Sequence, residues 1–240
     1  MKDLLKDHRK KGRFIVEIRF AAIPNFMDVR GEIISIVHPE IEKRCKHWKA
    51  SDEHVLFLND NDKPTQEFLI GMKRCFVALE DPGTMEEFSG FSAKMLGITY
   101  DRLGSWLKTI TRFGVRFIEI VASTKSNYEE TLSELLEKYH KLPFDIPLEY
   151  ADSQAIIVHK YGRFGIGPTK KGDEWVQQIF KNIENVPDYG IAMDIDSYAK
   201  NISVSSKGEF LKAFQNVFNL TSTVEEMLAR SAGVLDAQKA

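Results

Sequence analysis

The sequence predicts an α+β fold made of duplicated β-α-β-meander-α units, an antiparallel sheet or sheets carrying helices on one face. Three observations predict it. Segments alternating with period two, such as Phe14-Ile15-Val16-Glu17-Ile18-Arg19-Phe20, recur between segments of helical spacing. The opening strand echoes itself, because Arg13-Phe14-Ile15 with Glu17-Ile18 returns as Arg116-Phe117-Ile118 with Glu119-Ile120 after one deletion. The closing segments correspond at one constant offset: Glu87-Phe88, Met95-Leu96, Gly97, Ile98 and Thr99 match Glu209-Phe210, Val217-Phe218, Asn219, Leu220 and Thr221. The domain division that follows is a basic arm over 1–12, a first unit over 13–111 and a second over 112–240, with 172–185 inserted in the second.

Each element has a local reason. The β-branched and aromatic residues of 14–20 make a half-buried strand that Pro24 ends. Asn25 then caps a helix whose stripe is Phe26, Val29, Ile33 and Ile36 or Val37, and His38-Pro39 closes it because proline pushes its predecessor out of the α region. Strand-like runs follow at 41–48, 55–58, 67–72 and 75–79, with Asn59-Asp60-Asn61-Asp62 as a turn, and together they read as a meander. After Asp81-Pro82-Gly83, Thr84-Met85-Glu86-Glu87 is a capping box opening a helix to Leu96. Gly97 ends that helix as a left-handed cap, and Thr99 starts another carrying Leu103, Trp106, Leu107 and Ile110.

The second half repeats the order. A strand at 115–121 precedes a helix from Asn127 with Leu132, Leu135, Leu136 and Tyr139 on one face, broken by Pro143 and Pro147. Ala155-Ile156-Ile157-Val158 and a glycine-rich turn at 162–167 read as a hairpin, and the four-residue spacing of 175–183 favours helix. A strand at 191–198 and a helix at 209–218 come next, with Asn219 in the capping place of Gly97. Thr223-Val224-Glu225-Glu226 then opens a last helix around Met227 and Leu228.

Composition excludes several classes. With 43% hydrophobic and 28% charged residues over 240, the chain folds without needing disulfide staples. Lys+Arg 33 against Asp+Glu 35 gives a net charge of −2, which argues against nucleic acid as the partner. Cys45 and Cys75 form no CxxC pair, which fits a reducing compartment, and we expect the cytoplasm. No apolar run approaches the roughly 20 residues needed to span a bilayer, and residues 1–13 lack the apolar core of a signal peptide.

Two short stretches carry a resemblance. Arg112-Phe113-Gly114-Val115-Arg116-Phe117-Ile118 and Met193-Asp194-Ile195-Asp196 resemble a sporadically distributed prokaryotic family of uncharacterised proteins. That family has a mid-chain Arg-x-Gly-x-Arg-aromatic strand and a late Asp-x-Asp strand. The resemblance implies a bacterial or archaeal cytoplasmic protein from mobile-element or defence-associated loci, and it supplies no reaction. The element order also looks like the helix-on-curved-sheet group that includes saddle-shaped nucleic-acid binders and ligand grips, but fold analogy transfers no function.

Chemistry-bearing residues are few. Asp194 and Asp196 share one face of a strand, so their carboxylates could hold Mg²⁺ or Mn²⁺, although two solvated carboxylates beside a buried Met193 and Ile195 need no metal. Arg112 and Arg116 flank Gly114 on one face and could bind an anion, or pair with acids such as Glu17 and Glu119 on neighbouring strands. Arg163, Lys170 and Lys171, around the glycines of 162–167, could cradle a phosphate, but the segment fails the P-loop pattern and Pro168 removes a donor. The six histidines show no HxxxH spacing, and the nearest cluster is Cys45 with His47 and His54.

The function expected is therefore a non-catalytic binding or accessory protein acting through a protein partner or as a homo-oligomer, with no cofactor. Two alternatives stay open: a metal-dependent phosphoester hydrolase or phosphoryl transferase using Asp194 and Asp196 with Arg112 or Arg116, and a small-ligand-binding protein.

Overall fold

Strand alternation in β1 (Lys10–Phe20) decides the architecture, because it sends Phe14, Val16 and Ile18 into a buried core and Arg13, Ile15, Glu17 and Arg19 to the other face. The structure is a computed structural model that describes residues 10–123, 127–130, 132–133 and 155–231. The helix expected from Asn127, with Leu135, Leu136 and Tyr139, lies largely outside the described residues, as do residues 1–9 of the basic arm.

After β1 come α1 (Phe26–Ile41), β2 (His47–Ala50), β3 (His54–Leu58), β4 (Gln66–Gly71), β5 (Arg74–Glu80) and α2 (Met85–Leu103). The rest is β6 (Thr109–Ala122), β7 (Ala155–His159), β8 (Gly162–Lys170), α3 (Glu174–Ile179), β9 (Tyr189–Ser203) and α4 (Lys207–Ser231). Among the described residues nine strands form one sheet in the order β2-β3-β4-β5-β1-β6-β9-β8-β7, antiparallel throughout. The mixed α and β composition and the antiparallel sheet agree with the sequence.

Phenylalanines fill the core between the sheet and α1, α2 and α4. The Phe14 and Phe117 rings meet edge-on at 4.8 Å between centroids, Phe88 of α2 touches both, and Phe218 of α4 lies 5.9 Å from Phe117. Truncating any of these rings to alanine should cost about 3–5 kcal/mol, through lost burial and the cavity left behind. The short α3 packs elsewhere. Its Val176, with Phe180 and Val186, lies against Ile118, Ile120 and Ala192, and Ile118 and Ile120 alternate with Phe117 along β6. The helices are therefore not confined to one face, as the sequence led us to expect.

Several boundaries also move. β1 begins at Lys10, inside the segment read as an arm, and β6 begins at Thr109, before the expected unit boundary at 112. α1 runs through Pro39 to Ile41, whose buried side chain retains the last turn, and the following strand starts only at His47. α2 and α4 are each continuous. Thr99 Oγ1 donates to the Met95 carbonyl at 2.9 Å and Thr221 Oγ1 to that of Val217 at 2.8 Å, so both threonines sit inside a helix. Gly97 is not a cap but a contact point, since a Cβ there would lie 3.2 Å from Lys207 Cε at the start of α4. Asn219 and Thr223 are likewise interior to α4.

The glycine-rich segment at 162–167 is not a turn but most of β8. Pro168 is tolerated there because β7 pairs only with Gly162 to Ile166, so its missing N–H interrupts no ladder on that side.

Candidate functional site

Opposite the helices the sheet presents charged residues in rows, because antiparallel register places cross-strand partners side by side on one face. Lys200, Arg112, Arg19 and Arg74 form one row across β9, β6, β1 and β5. The next holds Tyr198, Gly114, Glu17 and Phe76, and the one after it Asp196, Arg116, Ile15 and Ala78. Asp194, Ile118, Arg13 and Glu80 follow. Between these rows lies an open groove of about 290 Å³, floored by Ile15, Phe76 and Ala78 and walled by Arg13, Arg19, Arg112 and Arg116.

Ion pairs knit the groove together. Arg112 donates to Glu17 Oε2 at 2.9 Å and to Asp196 Oδ1 at 2.5 Å. Arg116 grips Asp194 with two bonds of 2.8 Å, a bidentate fork that fixes both side chains. Glu17 is the hub, for it also accepts from Arg19 Nε at 3.0 Å and faces Arg74 Nη1 at 3.9 Å. Arg112 lies back over Gly114, where a Cβ would come within 2.5 Å of its Nη1. The glycine is thus a seat for the arginine's own guanidinium. Arg112 and Lys200 both lie over the Tyr198 ring, at 5.2 and 4.9 Å from its centroid.

The two shifted pKa values here have opposite origins. The hydrogen bond to Asp194 pushes the Arg116 pKa up, against desolvation. Partial burial raises the Asp196 carboxyl above its ordinary value, against the opposing pull of Arg112.

One end of this face is sealed. The chain from Lys171 to Asp188 folds over it, and the backbone N–H groups of Lys181 and Asn182 donate to Glu80 at 2.9 and 3.1 Å. Beneath them Lys11, 1% exposed, bridges Glu80 at 2.7 Å and Asp81 at 2.6 Å. Asp81 adopts a left-handed φ of 48° and also accepts from the Gly12 amide at 2.8 Å. Arg13 completes the cluster with a bond to Glu67.

Of the residues singled out in the sequence, Arg112, Arg116, Asp194 and Asp196 come together. Arg163 stands exposed on β8 opposite Asp196. Lys170 and Lys171 do not join them: Lys170 ends β8, about 23 Å along the strand from Arg163, and Lys171 follows it in a turn. Lys170 lies over Tyr128, and Lys171 donates to the Glu184 carbonyl. A cation at Asp194 and Asp196 would have to displace the guanidiniums already held there. Among the described residues, no group of three His, Cys, Asp or Glu is placed to hold a metal ion. Cys45 is buried, with its thiol pushed up to about 11 by desolvation. His54 faces Ser51 Oγ at 3.2 Å.

Sequence reasoning missed Arg19, Arg74, Lys200 and Tyr198 as members of this face, and the buried Lys11–Glu80 pair. The i, i+2 run Lys11, Arg13, Ile15, Glu17, Arg19 was visible, but its partners on β5 and β6 depend on register. Among the described residues no helix is long and apolar enough to cross a membrane. No protein-family model matches the chain, and no curated protein matches it in sequence.

Proposed function

We propose that the chain is a non-catalytic binding protein that recognises a protein partner through the open face of its sheet. The observation that carries this reading is the groove at the β5-β1-β6-β9 junction: an apolar floor of Ile15, Phe76 and Ala78 inside a ring of arginines held by carboxylates. An apolar floor with a rim of fixed, geometrically specific donors is the chemistry of recognition.

We also read the chain as two related units. The strand order supports this, since β5, β4 and β3 lead outward from β1 as β9, β8 and β7 lead outward from β6. Local chemistry supports it too. Thr84 Oγ1 accepts from the Glu87 amide and Glu87 reaches back to the Gly83 amide, while Ser206 Oγ accepts from the Glu209 amide and Glu209 reaches back to that of Ser205. The groove then lies at the junction of the two units, with 172–185 as an addition to the second that closes one end. This arrangement suits the binding or accessory role expected from the sequence.

The test is capture from a host extract with wild-type and Phe76→Ala baits, beside light scattering of each pure protein. Phe76 is half-buried on the groove floor, so its loss should deplete a specific captured protein, or convert a homo-oligomer to monomer, without unfolding the chain. Identical captured sets from two monomeric proteins would refute the proposal.

A further inference from the structure

Resting on the reading of the groove as the recognition surface, we propose that the partner presents a phosphate monoester to it. The phosphoryl group lies on the row formed by Arg74, Arg19, Arg112 and Lys200, and the apolar body lies over Ile15 and Phe76. The row is short of negative charge. Its four side chains occupy adjacent strands, so they span roughly 14 Å at the usual strand spacing. Like charges directly opposite one another are unfavourable and need compensation. Glu17 is shared among Arg19, Arg74 and Arg112, and Asp196 is bonded to Arg112. Asp194 is committed to Arg116. Among the described residues four cations thus face two carboxylates, and the surplus of two matches the charge of about −1.5 to −2 on a monoester phosphate near neutrality.

Accessibility points the same way. Arg19 and Arg74 are 55% and 54% exposed and hold Glu17 from its rim, whereas Arg112 is 19% exposed and fixed beneath them. Guanidinium forks match phosphate oxygens bidentately, and two solvent-exposed forks here stand beside a third that is already positioned. A single carboxylate would answer only half of the surplus. A nucleic-acid backbone following the strands from the row would run into the end that the chain from Lys171 to Asp188 closes, whereas an isolated phosphoryl group needs only the row. The apolar floor begins one row away at Phe76, within reach of the group that carries the phosphate.

Calorimetric titration at fixed ionic strength tests this with phenyl phosphate and inorganic phosphate, on wild type and on the Arg19→Gln/Arg74→Gln double variant. Both arginines are solvent-facing, so the variant should melt in chloride as wild type does. Phenyl phosphate should bind wild type more tightly than inorganic phosphate does, and the double variant should weaken it roughly tenfold or more. Equal affinity in the two proteins, no advantage of phenyl phosphate over phosphate, or no heat from either would overturn the proposal. Capture separates the two readings. If Phe76→Ala loses the partner and the double arginine variant retains it, the phosphoryl group is wrong and the groove stands; if Phe76→Ala also retains it, the groove itself is wrong.

Discussion

Gly114→Ala should destabilise the protein, and it should do so only while Arg112 is present. The new methyl would meet Arg112 Nη1 at 2.5 Å and Cζ at 2.8 Å, closer than real Cβ contacts allow, and Nη2 at a tight 3.0 Å. What it meets is the end of a flexible side chain, so the guanidinium moves and its bonds to Glu17 and Asp196 break. Hydrogen bonds to charged groups contribute about 1.5–3 kcal/mol each when buried. These are partly exposed and Glu17 keeps Arg19, so the pair is worth about 2 kcal/mol together. Replacing a strand glycine returns about 0.5–1 kcal/mol of backbone entropy. The net cost is therefore about 1 kcal/mol, read as a fall of roughly 2–4 °C in Tm for a chain of this size. In an Arg112→Ala background the same change should become neutral or stabilising by about 0.5 kcal/mol. Urea unfolding of the four proteins gives the coupling, and an equal cost of Gly114→Ala in both backgrounds would refute the seat.

Lys11→Ala should cost about 3 kcal/mol in urea unfolding, the low end for removing one partner of a buried pair, because Glu80 keeps the amides of Lys181 and Asn182. A cost below about 0.5 kcal/mol would mean that this end of the face is wet. Asp196 binds its proton more tightly folded than unfolded, so its titration removes stability as pH rises from its ordinary value of 3.8 through the raised folded value. Asp196→Asn should delete that decline from the stability–pH profile, and an unchanged profile would assign it to another group. Thr84→Ala and Ser206→Ala should each cost about 1 kcal/mol as lost N-caps, and unequal costs would weaken the equivalence of α2 and α4. Cys75, buried with its thiol pushed up to about 12, should resist a thiol reagent in the native protein and react once it is unfolded.

The elements whose signal was local were legible in the sequence. Alternation located the core of β1, strand-like apolar runs located those of β3, β4, β5 and β6, and the Thr84 capping box marked the start of α2 to the residue. What failed needed tertiary information. Gly97 reads as a helix terminator in isolation, but α2 packs against α4 and runs on through it to Leu103. Gly165 and Gly167 read as a turn because nothing in a sequence announces a strand pressed between two others. The charged face was half legible. Arg112, Arg116, Asp194, Asp196 and Glu17 could be placed on one side of their strands, but which carboxylate meets which guanidinium depends on register across three strands. Arg74 and Lys200 belong to strands whose alignment with β1 and β6 no local pattern specifies.

The two ends of the charged face follow from one another. A lysine taken out of water costs several kcal/mol unless it is paired, and Lys11 is paired with both Glu80 and Asp81. Those acids are supplied by the end of β5 and the turn after it, where the left-handed backbone of Asp81 aims its carboxylate back at β1. Closing this end with α3 and Phe180, which the Lys11 ammonium faces at 5.8 Å, therefore uses up carboxylates there. Glu67 is committed to Arg13 in the same cluster. Toward Arg19 the acids thin out among the described residues: Glu17 is shared by Arg19, Arg74 and Arg112, of which only Arg112 also has Asp196, and Lys200 rests on a tyrosine ring. A near-neutral chain thus acquires a local positive field by distributing its acids unevenly along one strand face. Screening over roughly 8 Å at physiological ionic strength keeps that field short-ranged. A charged group must come within about that distance of the row to feel it.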